Sequence, residues 1–489
     1  MKSSFSFYVA VVLIFGLGIY CVLMLGSKLD PDRAASGQLS DSSPAAVSPS
    51  QPEAPQETLA KIGSVLREHL REPLSILLLQ VVVILIAARF ISGLFLKVGQ
   101  PPVIGEMIAG IILGPSLLGM LFPKALLFLF PPSSMGTLRL LSQIGVILFM
   151  FIVGMEINAR QLREKAHAAV VISHASIIAP FFLGLVLSLF IYRPFAPSNV
   201  AFSSFAMFMG VAMSVTAFPV LARIIEERGM ADSYLGSTVI ACAAVDDVTA
   251  WCILASVIAI VKADGIGPAA LTVLMASTFT AFMLFVIKPQ LKRVIGEGVE
   301  SRRGLNGIVV GALALAFSSA YFTEIIGIHA LFGAFLAGAV MPATGGIRTL
   351  LRDKLATFCS AALLPLFFAF TGLRTQISLL NDWQSWVTCA AVIIVAIAGK
   401  LGGSMLAARW SAMSWYDSIS IGVLMNTRGL MELVILNIGY DLGILTERVF
   451  AIMVLMALVT TYMTAPLLSL IDGLATRKRM AQERLVTIA

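Results

Sequence analysis

The chain has 489 residues, of which 58% are hydrophobic and only 12% are charged, and its formal net charge is +7. A soluble protein of this length could not bury so much apolar surface, so the composition excludes a soluble globular protein and indicates a polytopic membrane protein. The positive charge comes from loops between apolar segments and does not indicate a nucleic-acid partner.

The chain begins with an apolar run over residues 5–25. About twenty apolar residues without a small-residue cleavage site favour an uncleaved anchor, and a signal peptide stays the alternative. We therefore predict a membrane anchor or signal segment over residues 1–26. Residues 27–73 are rich in Ser, Pro, Ala and Gln and end in a short amphipathic stretch, which predicts a disordered and amphipathic external linker.

Thirteen further apolar segments fill residues 74–475. They are too long for barrel strands, so an all-α polytopic membrane protein with 13 core transmembrane helices is predicted, followed by a short cytoplasmic tail over 476–489. The approximate bounds of the segments are 74–96, 102–120, 139–157, 167–192, 199–222, 234–261, 267–288, 304–322, 327–343, 357–373, 385–408, 416–440 and 447–471.

Basic residues orient these helices. If the N-terminal anchor starts on the inside, nineteen Lys and Arg residues fall in inside loops and the tail, against five in outside loops of the core. Cytoplasmic loops carry such an excess of basic residues. We predict a multi-pass protein of the plasma (inner) membrane, with the tail and basic loops in the cytoplasm and residues 27–72 outside.

Three pairs of similar segments recur in the same order. "VIGEMIAGIILGP" at 103–115 resembles "GIHALFGAFLAGAVMP" at 327–342, and "LFMFIVGMEI" at 148–157 resembles "LFFAFTGLRT" at 366–375. "MSVTAFP" at 213–219 has a looser counterpart, "LMNTRGL", at 424–430. Each pair joins core helix n to core helix n+7, so the two copies cross the membrane in opposite directions. This pattern is typical of the inverted repeats of secondary transporters.

The third pair predicts two crossed, discontinuous helices. Thr216 is followed closely by Pro219, which removes a backbone donor and disfavours a helical conformation before it. The other segment contains Asn426, Thr427 and Arg428 before a glycine, amid apolar neighbours. Two such breaks leave carbonyl and hydroxyl oxygens available to an ion at mid-membrane.

Two adjacent acids, Asp246 and Asp247, lie in the apolar segment "AAVDDVTAWCILA". Neighbouring residues on a helix point about 100° apart, so one acid can face a cavity while the other faces a partner. Lys400, in the apolar segment "GKLGGS", is the predicted charge-compensating partner. Two adjacent desolvated carboxylates disfavour double ionisation, so one of them can carry a proton or a cation, but not both.

Secondary candidates are weaker. Arg428 and Glu432 are four residues apart and can pair on one helix face, Asn426 lies in the second break, and Glu106 can line the cavity or cap a break. The five cysteines show no metal-ligand spacing, so neither a metal nor a cofactor is predicted.

Over roughly residues 75–475 these motifs resemble the monovalent cation:proton antiporters of the sodium/hydrogen-exchanger fold, above all those related to plant cation/H+ exchangers and glutathione-gated potassium efflux systems. The resemblance implies a dimerisation domain, hence a homodimer, and an ion-translocation domain that moves like an elevator. It also implies that Asp247 binds the cation and the proton, that Asp246 is the acid paired with Lys400, and that Thr216 and Thr427 lie in the crossing breaks. The short C-terminal tail departs from the glutathione-gated members, which carry a cytoplasmic nucleotide-binding regulatory domain, and residues 1–73 lie outside the pattern.

The predicted function is a secondary active antiporter that exchanges Na+ or K+ for H+ by alternating access. The paired acids and Lys400 predict that this exchange is electrogenic. The alternative is a cation channel or a pH or cation sensor on the same fold. An intramembrane aspartyl protease needs its two acids on different helices, whereas Asp246 and Asp247 are adjacent on one.

Overall fold

The structure is a computed structural model that describes residues 14–25, 72–156, 166–230, 233–262, 266–296, 302–342 and 346–488. In these ranges the chain forms helices and turns and contains no β-strand, in agreement with the all-α class. The linker predicted over 27–73 lies almost entirely outside the described residues, as does the basic loop at 157–165.

We number the helices α1 to α21. Their bounds are α1 Ile14–Leu25, α2 Pro73–Lys97, α3 Pro102–Leu113, α4 Leu118–Leu121, α5 Pro123–Leu129, α6 Pro132–Glu156, α7 Ala166–Phe195, α8 Phe202–Ser214, α9 Phe218–Glu227, α10 Tyr234–Lys262, α11 Ile266–Phe282, α12 Lys288–Gly296, α13 Arg302–Ile326, α14 Ala330–Val340, α15 Ile347–Phe358, α16 Leu364–Leu373, α17 Trp383–Ile397, α18 Gly403–Trp410, α19 Trp415–Met425, α20 Leu430–Asp441 and α21 Glu447–Ile488. Turns of π-helix join three pairs without a break, at Met283–Ile287, Cys359–Leu363 and Ala398–Gly402.

Eleven helical spans in the described residues are long and apolar enough to cross a membrane, so this is a multi-pass membrane protein. The two other predicted core segments correspond to the shorter apolar helices α8 and α14. The count of thirteen core crossings therefore stays a prediction.

Some helix boundaries differ from the sequence-based ones. The third core helix begins at Pro132, and the tenth extends back to Ile347 through a π-helical turn. The predicted tail continues the last helix, because α21 runs to Ile488. Its final residues are mostly Ala, Leu, Arg, Lys, Met, Gln and Glu, which favour helix even beyond the apolar span.

Close backbone contacts join the similar segments crosswise. A Cβ at Gly110 in α3 would overlap the carbonyl oxygen of Ala369 in α16, and a Cβ at Gly338 in α14 would overlap that of Phe151 in α6. Gly338 and Gly110 occupy matching positions in the first pair of segments, and Phe151 and Ala369 do so in the second. The reciprocal contacts, Gly372 on the Met107 carbonyl and Gly154 on the Phe335 carbonyl, match in the same way. Small residues let these helices approach closely where apolar lipid supplies no hydrophobic driving force.

Burial places the second interrupted segment at the centre of the protein. The span Trp415–Asp441 contains α19 and α20, and 94% of its apolar 18-residue stretch is buried. The corresponding share for the span Ala270–Arg293 is 6%. Protein therefore encloses the central segment on nearly all sides, and its polar backbone groups need protein partners or water because lipid offers none.

Candidate functional site

The first interruption separates α8 from α9. Helix α8 ends at Ser214, its C-cap Val215 is extended, and α9 begins at Phe218 with a proline as its second residue. A proline is tolerated in the first turn of a helix, but it disfavours a helical conformation of the residue before it. Thr216 consequently lies in a non-helical stretch within an apolar environment and is fully buried.

The second interruption separates α19, which ends at Met425, from α20, which begins at Leu430. The two interruptions touch each other. The backbone nitrogen of Ala217 donates to the carbonyl oxygen of Thr427 at 3.0 Å, and the Thr216 hydroxyl lies 3.3 Å from the Met425 carbonyl oxygen. The structure therefore brings together two breaks that are about two hundred residues apart in the chain.

Two buried cations hold the carboxyl end of α8. Arg428 donates from Nη1 to the Ala212 carbonyl at 3.1 Å and from Nη2 to the Met213 carbonyl at 2.6 Å. The Nζ of Lys400 donates to the Ser214 carbonyl. The last carbonyls of a helix lack partners within it and carry partial negative charge, so positive groups stabilise them.

Lys400 projects from the π-helical turn Ala398–Gly402, a geometry found often at functional sites. This turn packs closely on α7, since a Cβ at Gly399 would lie 2.7 Å from the Cα of Pro180 and one at Gly403 would lie 2.9 Å from the Ala175 carbonyl oxygen. Gly399 and Gly403 thus permit the close approach of α7, whereas a Cβ at Gly402 would meet nothing within 4 Å.

Asp246 on α10 is fully buried and surrounded by donors. Its Oδ2 accepts from Lys400 Nζ at 2.8 Å, from Thr216 Oγ1 at 2.6 Å and from Ser176 Oγ at 3.0 Å. Its Oδ1 accepts from Ser173 Oγ at 2.6 Å. An ionised carboxylate offers about two acceptor sites on each oxygen, so Oδ2 is fully used and the side chain accepts four hydrogen bonds in all.

Asp247 has the opposite environment. It is 2% exposed, and neither of its carboxylate oxygens has a hydrogen-bond partner among the described residues. A buried polar group without a partner is costly, and such groups occur where a ligand or a proton is handled. The two adjacent acids therefore differ as their helical spacing predicts, and the acid that pairs with Lys400 is Asp246.

Arg428 and Glu432 form the predicted i,i+4 pair, with Nη1 3.5 Å from Oε1. Both side chains are buried, and neither oxygen of Glu432 has a hydrogen-bond partner in the described part of the chain. The backbone of Arg428 is fixed as well, because its nitrogen and carbonyl oxygen both bond to the Thr461 hydroxyl. The contact of Arg428 with the end of α8 was not foreseen from the sequence.

The other candidates lie around the second break. The Asn426 amide nitrogen is 3.8 Å from the Met463 sulfur, and the Thr427 hydroxyl is 3.3 Å from that of Thr464, so both side chains face α21. Glu106 lies half-buried on α3, whose residues Val103 and Met107 line a narrow gap beside Arg428. Its part in the site stays a prediction.

Sequence reasoning missed Ser173 and Ser176 on α7. Serines are common in membrane helices and carry no distinctive signal by themselves. Their spacing of three residues does place them on one helix face, which was the available sign that they act together.

A cavity of about 370 Å³ lies farther along α10. Its lining includes Ile258, Arg139, Glu324, His329 and Asp441. Arg139 and Arg374 both pair with Asp441, at 3.0 and 2.6 Å. Ile258 is about 16 Å along the helix axis from Asp247, at about 1.5 Å a residue, so this cavity is separate from the paired acids.

Comparison with known proteins shows which proteins this chain resembles. The chain is 43% identical over 395 residues to the Na(+)/H(+) antiporter NhaS4 of Synechocystis, covering 81% of this chain and 96% of that protein. It is 38% identical over 402 residues to cation/H(+) antiporter 17 of Arabidopsis thaliana, covering 81% of this chain and 48% of the relative. It is 34% identical over 408 residues to the K(+)/H(+) antiporter 1 of Saccharomyces cerevisiae, covering 82% and 46%.

The fold resembles a solved structure as well. The sodium proton antiporter MjNhaP1 from Methanocaldococcus jannaschii superposes with a TM-score of 0.58 at 15% identity, over 80% of this chain and 95% of that one. The names of these relatives describe secondary transporters and no enzyme. The family model described as "Sodium/hydrogen exchanger, transmembrane" matches residues 66–470, and the chain therefore belongs to the sodium/hydrogen exchanger family.

Proposed function

We propose that this chain is a secondary active antiporter that exchanges Na+ or K+ for H+. The contrast between the two adjacent acids carries the proposal. Asp246 accepts hydrogen bonds from four donors, whereas Asp247 has no hydrogen-bond partner among the described residues. A carboxylate in that condition gains by binding a proton or a cation, and one carboxylate does not hold both at once. Asp247 is thus the proposed exchange group.

The remaining ligands of the cation come from the two interruptions. Thr216 and Thr427 lie where backbone carbonyls are released from helical bonding, and the two breaks are hydrogen-bonded to each other. Oxygen atoms of carboxylates, hydroxyls and carbonyls suit a hard monovalent cation, and irregular backbone at membrane depth occurs where it lines such a site. Na+ and K+ use the same oxygen ligands, which is why the proposal includes both.

Transport is proposed to proceed by alternating access of an elevator type. The crosswise contacts of α3 with α16 and of α6 with α14 support an inverted repeat, because equivalent residues of the two copies make them. Inverted repeats have two related halves whose exchanged conformations open the site to opposite sides. The resemblance to the antiporter family further implies that the protein works as a homodimer.

The exchange is proposed to be electrogenic. Lys400 holds Asp246 when no cation is bound, and a cation that arrives would release Lys400, so that the protons moved inward outnumber the cation moved outward. The proposed setting is the plasma (inner) membrane, with basic loops in the cytoplasm and residues 27–72 outside, where the exchanger serves pH and cation homeostasis.

The test is dissipation of an imposed pH gradient in proteoliposomes that contain the purified full chain. Addition of Na+, K+, Li+ or Rb+ to separate samples should release the gradient saturably with at least one of Na+ and K+. Asp247→Asn should abolish that flux. Asp353→Asn, which removes an exposed acid on α15, is the matched control and should exchange as the wild type does.

Two outcomes would contradict the proposal. Substantial cation-driven proton flux in Asp247→Asn would remove the assignment of that residue. Conductive cation flux in the wild type, unsaturated and independent of pH, would instead favour a channel. Retained thermal stability in detergent would show that a loss of flux does not arise from unfolding.

A further inference from the structure

We propose that Ser173 and Ser176 on α7 are positioning residues that hold the Asp246 carboxylate ionised and in place, both while Lys400 is bound to it and when Lys400 shifts. This inference rests on the proposed function and extends it to a helix that contributes no charge to the site. It rests on hydrogen-bond geometry, on burial and on the different mobility expected of the elements involved.

The two serines bind different oxygens of one carboxylate. Ser173 Oγ donates to Oδ1 at 2.6 Å and Ser176 Oγ donates to Oδ2 at 3.0 Å. Both serines and Asp246 are fully buried, so water does not substitute readily for either hydroxyl. A pair of donors three residues apart on one helix thereby fixes both the position and the plane of the Asp246 carboxylate.

All the donors around Asp246 favour its ionised form. Hydroxyl groups that donate to a carboxylate stabilise its charge, and such charge-assisted bonds are stronger than neutral ones. A proton on Oδ2 would have to displace one of the three donors from which this oxygen already accepts hydrogen bonds. A proton that binds Asp247 displaces no such donor among the described residues.

The serines differ from the other two donors, Lys400 and Thr216, because those two also contact the interrupted segments. Lys400 also bonds to the Ser214 carbonyl at the first break, and the Thr216 hydroxyl lies near the Met425 carbonyl at the second. These two donors are therefore linked to the interrupted segments, where a bound cation changes the local contacts. Ser173 and Ser176 stand on α7, which contains Pro180 but is helical throughout Ala166–Phe195, and they can retain Asp246 while its other partners shift.

Among the described residues, Lys400 contacts Asp246 directly, and the titratable groups Asp247 and Cys242 lie on the same helix as Asp246. Arg428 and Glu432 interact electrostatically with Lys400. Of these groups, Lys400 is the one in direct contact with Asp246. The serine hydroxyls add to its effect, because they too stabilise the ionised carboxylate.

The experiment compares pH profiles of cation-driven proton flux in proteoliposomes for the wild type, Ser173→Ala, Ser176→Ala and the double variant. Loss of one hydroxyl should move the acidic limb of the profile upward by about one pH unit, since a hydrogen bond to a charged group is worth roughly tenfold in an equilibrium. The double variant should shift further. Ser173→Thr keeps a hydroxyl and should restore the wild-type limb.

Ser188→Ala is the matched control, because Ser188 is also a fully buried serine of α7 but donates only within its helix, to the Gly184 carbonyl. If the double variant has the same acidic limb as this control, the inference is overturned. If the double variant fails to fold, the single variants decide the question in the same way. A wild type without exchange would refute the proposed function itself, whatever the serine variants do.

Discussion

The Nζ of Lys400 lies 2.8 Å from Oδ2 of Asp246, and both side chains are completely buried. This contact joins the π-helical turn between α17 and α18 to the middle of α10. A buried charge that loses its partner is strongly destabilising, whereas replacement of both partners by neutral groups is often tolerated. The pair can therefore be tested as a unit.

We expect Lys400→Met to lower the free energy of unfolding by about 3 kcal/mol, because Asp246 is left as an uncompensated buried charge despite its hydroxyl donors. The Asp246→Asn, Lys400→Met double variant should recover most of that loss. Thermal unfolding in detergent measures both effects. Equal destabilisation by the single and the double variant would show that the two side chains are not coupled.

The same double variant tests the charge that crosses the membrane. Wild-type exchange in proteoliposomes should respond to an imposed membrane potential, whereas Asp246→Asn alone should impair transport because asparagine cannot balance Lys400. With both charges removed, we expect partial activity that ignores the potential. Wild-type rates that do not depend on the potential would reduce the Asp246–Lys400 pair to structural support for Asp247.

Arg428→Lys should disrupt the carboxyl end of α8. The guanidinium of Arg428 reaches the carbonyls of Ala212 and Met213 with separate nitrogens and lies near Glu432 at the same time. A lysine has one nitrogen and cannot reproduce this fork, so we expect a loss of about 2 kcal/mol of stability together with slower exchange. Arg352→Lys on an exposed face of α15 is the control. An unchanged melting temperature in Arg428→Lys would contradict this role.

Gly338→Ala should separate α14 from α6. The added Cβ would overlap the Phe151 carbonyl oxygen, so the helices must move apart at a cost of about 1–3 kcal/mol. Gly311→Ala in α13 is the matched substitution, since nothing lies within 4 Å of its Cβ position. It should be neutral or stabilising because alanine favours a helix. Similar melting temperatures for the two variants would argue against the close contact.

Membrane sidedness can be tested by cysteine labelling. A cysteine at Ser43, in the predicted external linker, should react with an impermeant thiol reagent in intact cells. A cysteine at Asp353, in a predicted inside segment, should react only after the membrane is opened. The reverse pattern would contradict the orientation inferred from the basic residues.

Much of the architecture follows from local sequence. The apolar segments predict membrane helices, since their length and hydropathy are properties of each segment alone. Pro219 and the polar run from Asn426 to Arg428 predict the interruptions, because a missing donor and competing polar groups act on the adjacent backbone. The adjacency of Asp246 and Asp247 likewise predicts that they face different surroundings, since helix geometry alone separates them.

The tertiary structure alone decided what each of these groups contacts. Asp246 meets Ser173 across 73 positions of sequence and Lys400 across 154, and Arg428 reaches carbonyls of α8 across more than two hundred. Such contacts depend on the rotation of each helix about its axis and on which helices pack together. Hydropathy does not specify either of these within a membrane, where apolar residues face lipid and protein alike. The sequence thus determined where the chain is helical, interrupted and charged, and packing determined that four hydrogen-bond donors converge on Asp246 while Asp247 has no partner among the described residues.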